Sequence, residues 1–346
     1  MKQVIITALV LLSFLFLLPM LLFGGGGTAA LSAPEGDTPP PTLPAAVTPV
    51  PQGETDRRTA VTLYHSETGE VEELTMADYL WGVVAAEMPA SFQTEALKAQ
   101  AVAARTYALQ KGSGVTAAHP EAMVCDDHTC CQAWLTRAEA AASWGAEAAF
   151  YTDKIAAAVA GTDGLVVTYG GELIDAVFHS SSAGSTADAA EVWGASVPYL
   201  KPVSTPEGDE VPNYHTTVTV SLEDFKAAIR SKYPEATFGE DYTAWFGPVT
   251  YTAAGAVATL PAGGAPVTGT EYRALFGLRS PRFTLTAGEE GVTFSVTGYG
   301  HGAGMSQYGA NALAAQGLDF EAILTHYYTG CRVEARKTEK NQGTFR

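Results

Sequence analysis

The sequence predicts an α+β fold: one elaborated domain, with scope for lobes, in which a central helix pair and several β-hairpins surround a cleft. Three observations carry this. Alternating runs joined by Gly-containing turns recur along the chain, as in TAVTLYHSETGEVEEL, GLVVTYGGELIDAVFHS and RFTLTAGEEGVTFSVTGYG. Two adjoining segments, MADYLWGVVAAEMP and FQTEALKAQAVAARTYALQ, switch to helical period. Globular composition then holds without interruption from about Arg58 to Val333.

Outside that domain, assigned to residues 58–335, the chain changes character. Val4 to Phe23 is an uncharged apolar run long enough for the hydrocarbon core of a bilayer. Residues 1–25 therefore read as a membrane anchor, with a cleaved signal ending at Ala30 or Ala33 as the alternative; either exports the remainder. Residues 26–57, rich in Pro, Gly, Thr and Ala, form a semi-extended extracytoplasmic linker. Residues 336–346 are a polar tail. The formal charge of −17 is opposite to what a phosphate-tracking groove needs and argues against nucleic acid as a partner.

In order, the first hairpin turns at Glu67 to Gly69. Thr75 is placed to cap a helix that Pro89 stops, and Ser91 to cap an Ala-rich helix ending before Gly112. Gly112 to Trp134 reads as a loop, followed by a helix over about Ala146 to Ala160. Gly170-Gly171 joins two strands, the second leading into HSSSAGST. Residues 203–282 carry little pattern beyond a helix near Leu222 to Lys232 and a shorter one in Thr268 to Ser280. A strand pair then leads to GYGHGAGMSQYG, a helix from about Ser306, and a last helix from Asp319 to Tyr328.

Several residues have the chemistry of a site. Glu87 ends an otherwise apolar helix, where burial raises a carboxyl group into the range of a general acid; a surface carboxylate is the plainer reading. Arg105, flanked by alanines, suits a pair with Glu87, another structural ion pair or a fork of donors to substrate, and is assigned to substrate binding. His179, Ser180 and Ser181 open a polar loop after a strand and read as substrate contacts rather than a serine-hydrolase triad, since no G-x-S-x-G elbow is present. Glycines crowd around Tyr299, His301, Ser306, Gln307 and Tyr308, allowing close approach to a ligand or simply a tight turn. His119, Cys125, His128, Cys130 and Cys131 offer soft ligands for structural Zn2+; a disulfide from Cys125 to Cys130 or Cys131 is the alternative, and Cys331 stands apart.

Four segments together, YLWGVVAAEMPASFQTEALKAQAVAARTYAL, FHSSSAGSTADAAEVWG, EYRALFGLRS and GYGHGAGMSQYGANALAAQG, resemble the stage II sporulation protein D family of lytic transglycosylases and its sibling amidase enhancers. The resemblance implies cleavage of the β-1,4 bond between N-acetylmuramic acid and N-acetylglucosamine in peptide-free strands, leaving 1,6-anhydro ends, with Glu87 of AAEMP as the acid. It implies zinc on His119, Cys125, Cys130 and Cys131, with His128 as a substitute for Cys130, and a structural role for the metal.

Implied partners are peptidoglycan, a cell-wall amidase and a membrane scaffold of the engulfment machinery. The implied place is the mother-cell membrane, with the domain facing the intermembrane space. A wall-binding amidase enhancer without catalysis is the alternative function. Glu87, His179 and residues 299–308 are expected to line one cleft. Glu172, Asp188 and Glu191 are further carboxylates that would reopen a water-based mechanism if they reached it.

Overall fold

The computed structural model describes residues 54–336 except 113 and 115. The expected anchor, most of the linker and the tail from 337 lie outside them. Among the described residues no helix is long and apolar enough to cross a membrane.

The fold is organised around one helix. After α1 (Glu54–Arg58), the hairpin strands β1 (Ala60–Tyr64) and β2 (Val71–Thr75), and α2 (Met76–Glu87), the chain enters α3 (Thr94–Lys111). Alanine dominates α3, and Ala costs least in a helix. From Ala96 to Leu109 nearly every residue of α3 is buried, whichever way it faces. A helix apolar all round must lie inside, and its small side chains let neighbours approach closely.

Those neighbours follow in order: β3 (Val124–Cys125), α4 (Arg137–Trp144), α5 (Ala148–Ala160), β4 (Leu165–Tyr169), β5 (Glu172–Leu173), β6 (Phe178–His179) and the short α6 (Ala189–Trp193). The C-terminal part supplies β12 (Met305–Ser306), α9 (Gln307–Ala315), α10 (Phe320–Tyr327) and β13 (Arg332–Ala335) once the intervening lobe is counted. Helices α2, α5, α9 and α10 and strand β4 all pack on α3. The sheets around this core are small: β2-β1-β3, β13-β4-β5 and the parallel pair β12-β6.

Several boundaries moved. Thr75 caps α2 as expected, accepting from the Asp78 N–H. Ser91 does not cap α3; Gln93 stands there without a side-chain cap, and its own N–H donates to Asn311 Oδ1 of α9 at 2.8 Å. A tertiary partner replaces the local one. The Gly170-Gly171 hairpin forms, but β5 is two residues long, and His179 belongs to a separate strand paired in parallel with β12. Helix α4, with a complete capping box on Thr136 and Glu139, went unrecognised.

The chain divides into lobes because residues 215–297 build a second core. Here β7 (His215–Val220), α7 (Leu222–Lys232), β8 (Thr250–Tyr251), β9 (Val257–Thr259), α8 (Gly269–Phe276), β10 (Phe283–Gly288) and β11 (Gly291–Thr297) enclose Phe225, Trp245, Tyr272, Phe283 and Phe294. The rings of Phe225 and Phe276 stack at 5.2 Å. Entry and exit meet at a neck: β7 pairs with β11 antiparallel, and the Gly298 N–H donates to Tyr214 O at 2.8 Å. The lobe is thus an insertion that returns the chain to the large core just before Tyr299.

Two expectations need correction at the N-terminal edge. The linker is expected to run through residue 57, yet 54–58 are helical and Asp56 is 3 % exposed. Asp56 is buried because Arg105 is. Within α3, Arg105 is 1 % exposed; its Nε lies 2.9 and 3.0 Å from the two Asp56 oxygens, and Nη1 donates to Leu165 O at 3.0 Å. Arg105 therefore does not reach Glu87, and the structure gives it no face toward substrate. Its charge inside the core is balanced by an acid delivered from outside the expected domain. Arg105→Ala should lower unfolding stability by about 3–5 kcal/mol, because it strands Asp56 as a buried charge. Denaturant titration measures this; a loss under about 1 kcal/mol would contradict the buried pair.

Candidate functional site

Glu87 is the last residue of α2, at the negative end of the helix dipole, where a carboxylate is disfavoured. Two donors nonetheless hold it. The Ala133 N–H reaches Oε1 at 2.8 Å, and Gln307 Nε2 reaches Oε2 at 3.3 Å. Burial raises the Glu87 pKa above the ordinary carboxylate value, against the lowering effect of these two hydrogen bonds and of His128. The result is an oriented carboxyl group predisposed to hold a proton.

Gln307 comes to Glu87 from the far end of the chain. It is the first residue of α9, immediately after β12, and β12 pairs with β6 through Met305↔Phe178 and Ser306↔His179. The glycines before it make this pairing geometrically feasible. Gly304, at φ 72°, would place a Cβ 2.1 Å from Val177 O, and Gly300, at φ 119°, would place one 2.6 Å from His179 Cβ. Any side chain at either position would force the two segments apart. The Tyr299 and Ser181 backbones form a bridge, and the Tyr308 N–H donates to Ser180 O at 3.0 Å. Glu87, the residues after His179 and the segment 299–308 are therefore joined by continuous hydrogen bonding.

Not all of the expected contacts face outward. His179, Ser181, Ser306 and Gln307 are buried, while Tyr299 is 41 % exposed. The His179 Nδ1–H donates to Ala303 O at 3.1 Å, and Ser182 Oγ donates to Nε2 at 2.6 Å. Burial pushes the His179 pKa down to about 3, with His301 and Arg273 adding to the effect. Burial disfavours the imidazolium that a general base becomes, which weighs against a serine nucleophile here. His301 is likewise driven to about 4 by burial and by Arg273, and its ring lies 5.2 Å from that of exposed Trp193. Tyr308 packs edge-on against Phe92 at 4.9 Å.

One carboxylate escaped sequence reasoning. Glu207 is 5 % exposed and accepts from the Ser182 N–H at 2.8 Å, from Ser306 Oγ at 2.5 Å and from Thr205 Oγ1. It ties the HSSS loop to the start of α9 from behind. Glu172 is exposed, Asp188 caps α6 and pairs with Lys201, and Glu191 accepts from the Ala253 N–H. Among the described residues none of these carboxylates is hydrogen-bonded to Glu87.

The loop that supplies Ala133 also carries the cysteine cluster. The ligand atoms of His119, Cys125, Cys130 and Cys131 all lie within 4.8 Å of one another, and all four cysteines of the chain are free thiols. The edge of a zinc tetrahedron with Zn–S of about 2.3 Å is about 3.8 Å, so modest closure would suffice. The His119 Nδ1–H donates to Ala122 O at 3.0 Å, which leaves Nε2 as the free ring nitrogen, 3.2 Å from Cys131 Sγ. A histidine ligand is normally fixed in this way. His128 is exposed and outside the group. Gln132, next in the chain, donates to Tyr79 Oη at 3.0 Å, anchoring the loop on α2.

Site-specific carbon-13 titration of the Glu87 carboxyl should give a midpoint above the ordinary carboxylate range. Gln307→Leu should move it further up, because the lost donor favours the charged form. A normal midpoint, or a downward shift in the variant, would contradict this electrostatic account.

The family model described as "Stage II sporulation protein" matches residues 64–169. Stage II sporulation protein D of Bacillus subtilis is 35 % identical over 342 residues, covering 96 % of each chain. The protein of the same name from Bacillus amyloliquefaciens is 37 % identical, covering 78 % of this chain and 77 % of that one. The amidase enhancer of Bacillus subtilis is 31 % identical, covering 72 % of this chain and 39 % of its own. On sequence, coverage and family model together, this chain belongs to the stage II sporulation protein D family.

Proposed function

We propose that the protein is a peptidoglycan lytic transglycosylase with Glu87 as its acid and base. The observation that carries this reading is Glu87 itself: a carboxyl group with a raised pKa, fixed by Ala133 and Gln307 at the end of an apolar helix. Protonated Glu87 gives its proton to the glycosidic oxygen between muramic acid and glucosamine as the bond to C1 breaks. The resulting carboxylate takes the proton of the muramic C6 hydroxyl while that oxygen bonds to C1, closing a 1,6-anhydro ring. No water enters, so a second carboxylate like that of hydrolytic glycosidases is unnecessary. Glu207, already engaged by three donors, fits a positioning role.

In the cell, the apolar run Val4 to Phe23 would hold the domain at the mother-cell membrane, facing the intermembrane space during engulfment. An amidase would strip stem peptides to create the substrate, and a membrane scaffold would hold the two activities together. Kinship with a protein named amidase enhancer favours a second reading, in which this chain binds wall and stimulates an amidase. Peptide-free strands incubated with the wild-type chain should yield 1,6-anhydromuramyl ends, and Glu87→Gln should reduce the rate at least about a hundredfold. Stimulation of an added amidase with no anhydro product would favour the enhancer; near-wild-type cleavage by the variant would remove Glu87 from the chemistry.

For the cysteine cluster the proposal is a structural zinc on His119, Cys125, Cys130 and Cys131. Four protein ligands close the coordination sphere, so the metal supplies a crosslink rather than an activated water. That crosslink would stiffen the loop whose Ala133 N–H holds Glu87. Elemental analysis should find one zinc per chain, and Cys131→Ser should lose it together with several degrees of thermal stability. A metal-free chain lighter by two hydrogens would identify a disulfide and contradict the zinc.

A further inference from the structure

Among the described residues, two arginines beside the site have no carboxylate partner. Arg273 lies in α8 of the smaller lobe, and Arg279 follows the left-handed Gly277 that ends this helix. The Arg279 guanidinium stacks on the Tyr299 ring at 3.8 Å, and its Nε is buried without a hydrogen-bond partner. Arg273 Nε donates to Arg279 O at 3.3 Å, and the Gly300 N–H donates to the same oxygen at 2.9 Å. Arg273 is close enough to His179 and His301 to depress both, and close enough to Tyr299 to be affected by it. Both arginines therefore adjoin the Tyr299 and His301 turn, where Tyr299 and Trp193 are exposed.

Among the described residues neither Arg273 nor Arg279 has a carboxylate within 4.0 Å. Arg230 and Arg282, among the same residues, also have none, but their guanidinium groups donate to Ala236 O and Ala254 O. What sets Arg279 apart is a buried Nε with no hydrogen-bond partner. Half-buried guanidinium groups keep their charge and favour bidentate contact with a planar anion. A guanidinium with a buried, unpartnered Nε, stacked on an exposed aromatic ring and joined to a second arginine, offers a place for the anion of a ligand.

We propose that Arg273 and Arg279 form a carboxylate-binding subsite that recognises the free lactyl carboxylate of peptide-free muramic acid. The inference rests on the glycan reading of the substrate and deepens it. In intact wall the lactyl group is an uncharged amide; once an amidase has acted it is a carboxylate. A guanidinium pair reads that difference directly, so selection of stripped strands would reside in the smaller lobe rather than at Glu87. Tyr299, held under Arg279, would line the same subsite.

The test is binding by the full chain carrying Glu87→Gln, which keeps strands intact under the cleavage reading. The probes are amidase-treated glycan strands, the same strands with lactyl carboxylates converted to methylamides, and strands retaining stem peptides. Free-acid strands should bind at least about tenfold more tightly than methylamide strands, as expected for a charge-assisted contact. Arg273→Gln or Arg279→Gln should reduce free-acid binding to the methylamide level and leave methylamide binding unchanged. Arg279 donates no side-chain hydrogen bond among the described residues, so its variant carries the test if Arg273→Gln unfolds. Equal binding of acid and methylamide, or a preference that survives both substitutions, would overturn the proposal. So would arginine-dependent binding of stem-peptide strands as tight as that of free-acid strands. Because turnover is not read, absence of anhydro products from the wild type would sink the cleavage reading and leave this one standing.

Discussion

The burial of α3 on every side is the constraint from which the rest of the structure follows. An Ala-rich helix has too little side-chain volume to form a core alone, and gains stability only when other elements close around it. Four helices and β4 do so. One of the four, α2, ends at Glu87; another, α9, begins at Gln307. Packing both on α3 is what brings residues 220 positions apart within hydrogen-bond distance. The same burial makes Arg105 demand Asp56, which fastens α1 to the domain.

The site is built in layers behind Glu87. The cysteine loop delivers the Ala133 N–H, while the return from the inserted lobe delivers Gln307. Behind these, Glu207, Ser182, Ser306 and His179 saturate one another's hydrogen bonds and leave few polar groups free to react. This polar wall is rigid for the reason buried networks generally are: partial loss would leave uncompensated groups. Where Arg279 stacks on exposed Tyr299, its Nε is one of the buried side-chain atoms left without a hydrogen-bond partner.

Local signals were legible in the sequence, and long-range pairings were not. Glu87 was visible because an acid interrupts an apolar helix, and the His/Cys cluster because five soft donors fall within thirteen residues, four of which the fold gathers. The hairpins and the helix over Leu222 to Lys232 followed from period and turn chemistry. Arg105 was misplaced because its partner sits 49 residues upstream in a segment that resembles a linker. Glu207 was missed because PEGDE looks like any acidic turn, and its donors come from distant segments. Strand β7 offered a Thr/Val alternation in HTTVTV that deserved assignment; its two-residue relatives β5, β6 and β12 offered nothing, being set by tertiary pairing alone.

What unites these features is the claim that a glycan strand lies across the end of α2 with its scissile oxygen at Glu87. The most direct measurement is a crystal structure of the Glu87→Gln chain with a peptide-free tetrasaccharide of alternating glucosamine and muramic acid. The account predicts a muramyl–glucosaminyl oxygen within about 3.2 Å of the side chain at position 87. It also predicts the muramic C6 hydroxyl on the same side, with the Ala133 and Gln307 contacts retained. A strand bound elsewhere on the domain, with position 87 touching no glycosidic oxygen, would contradict it.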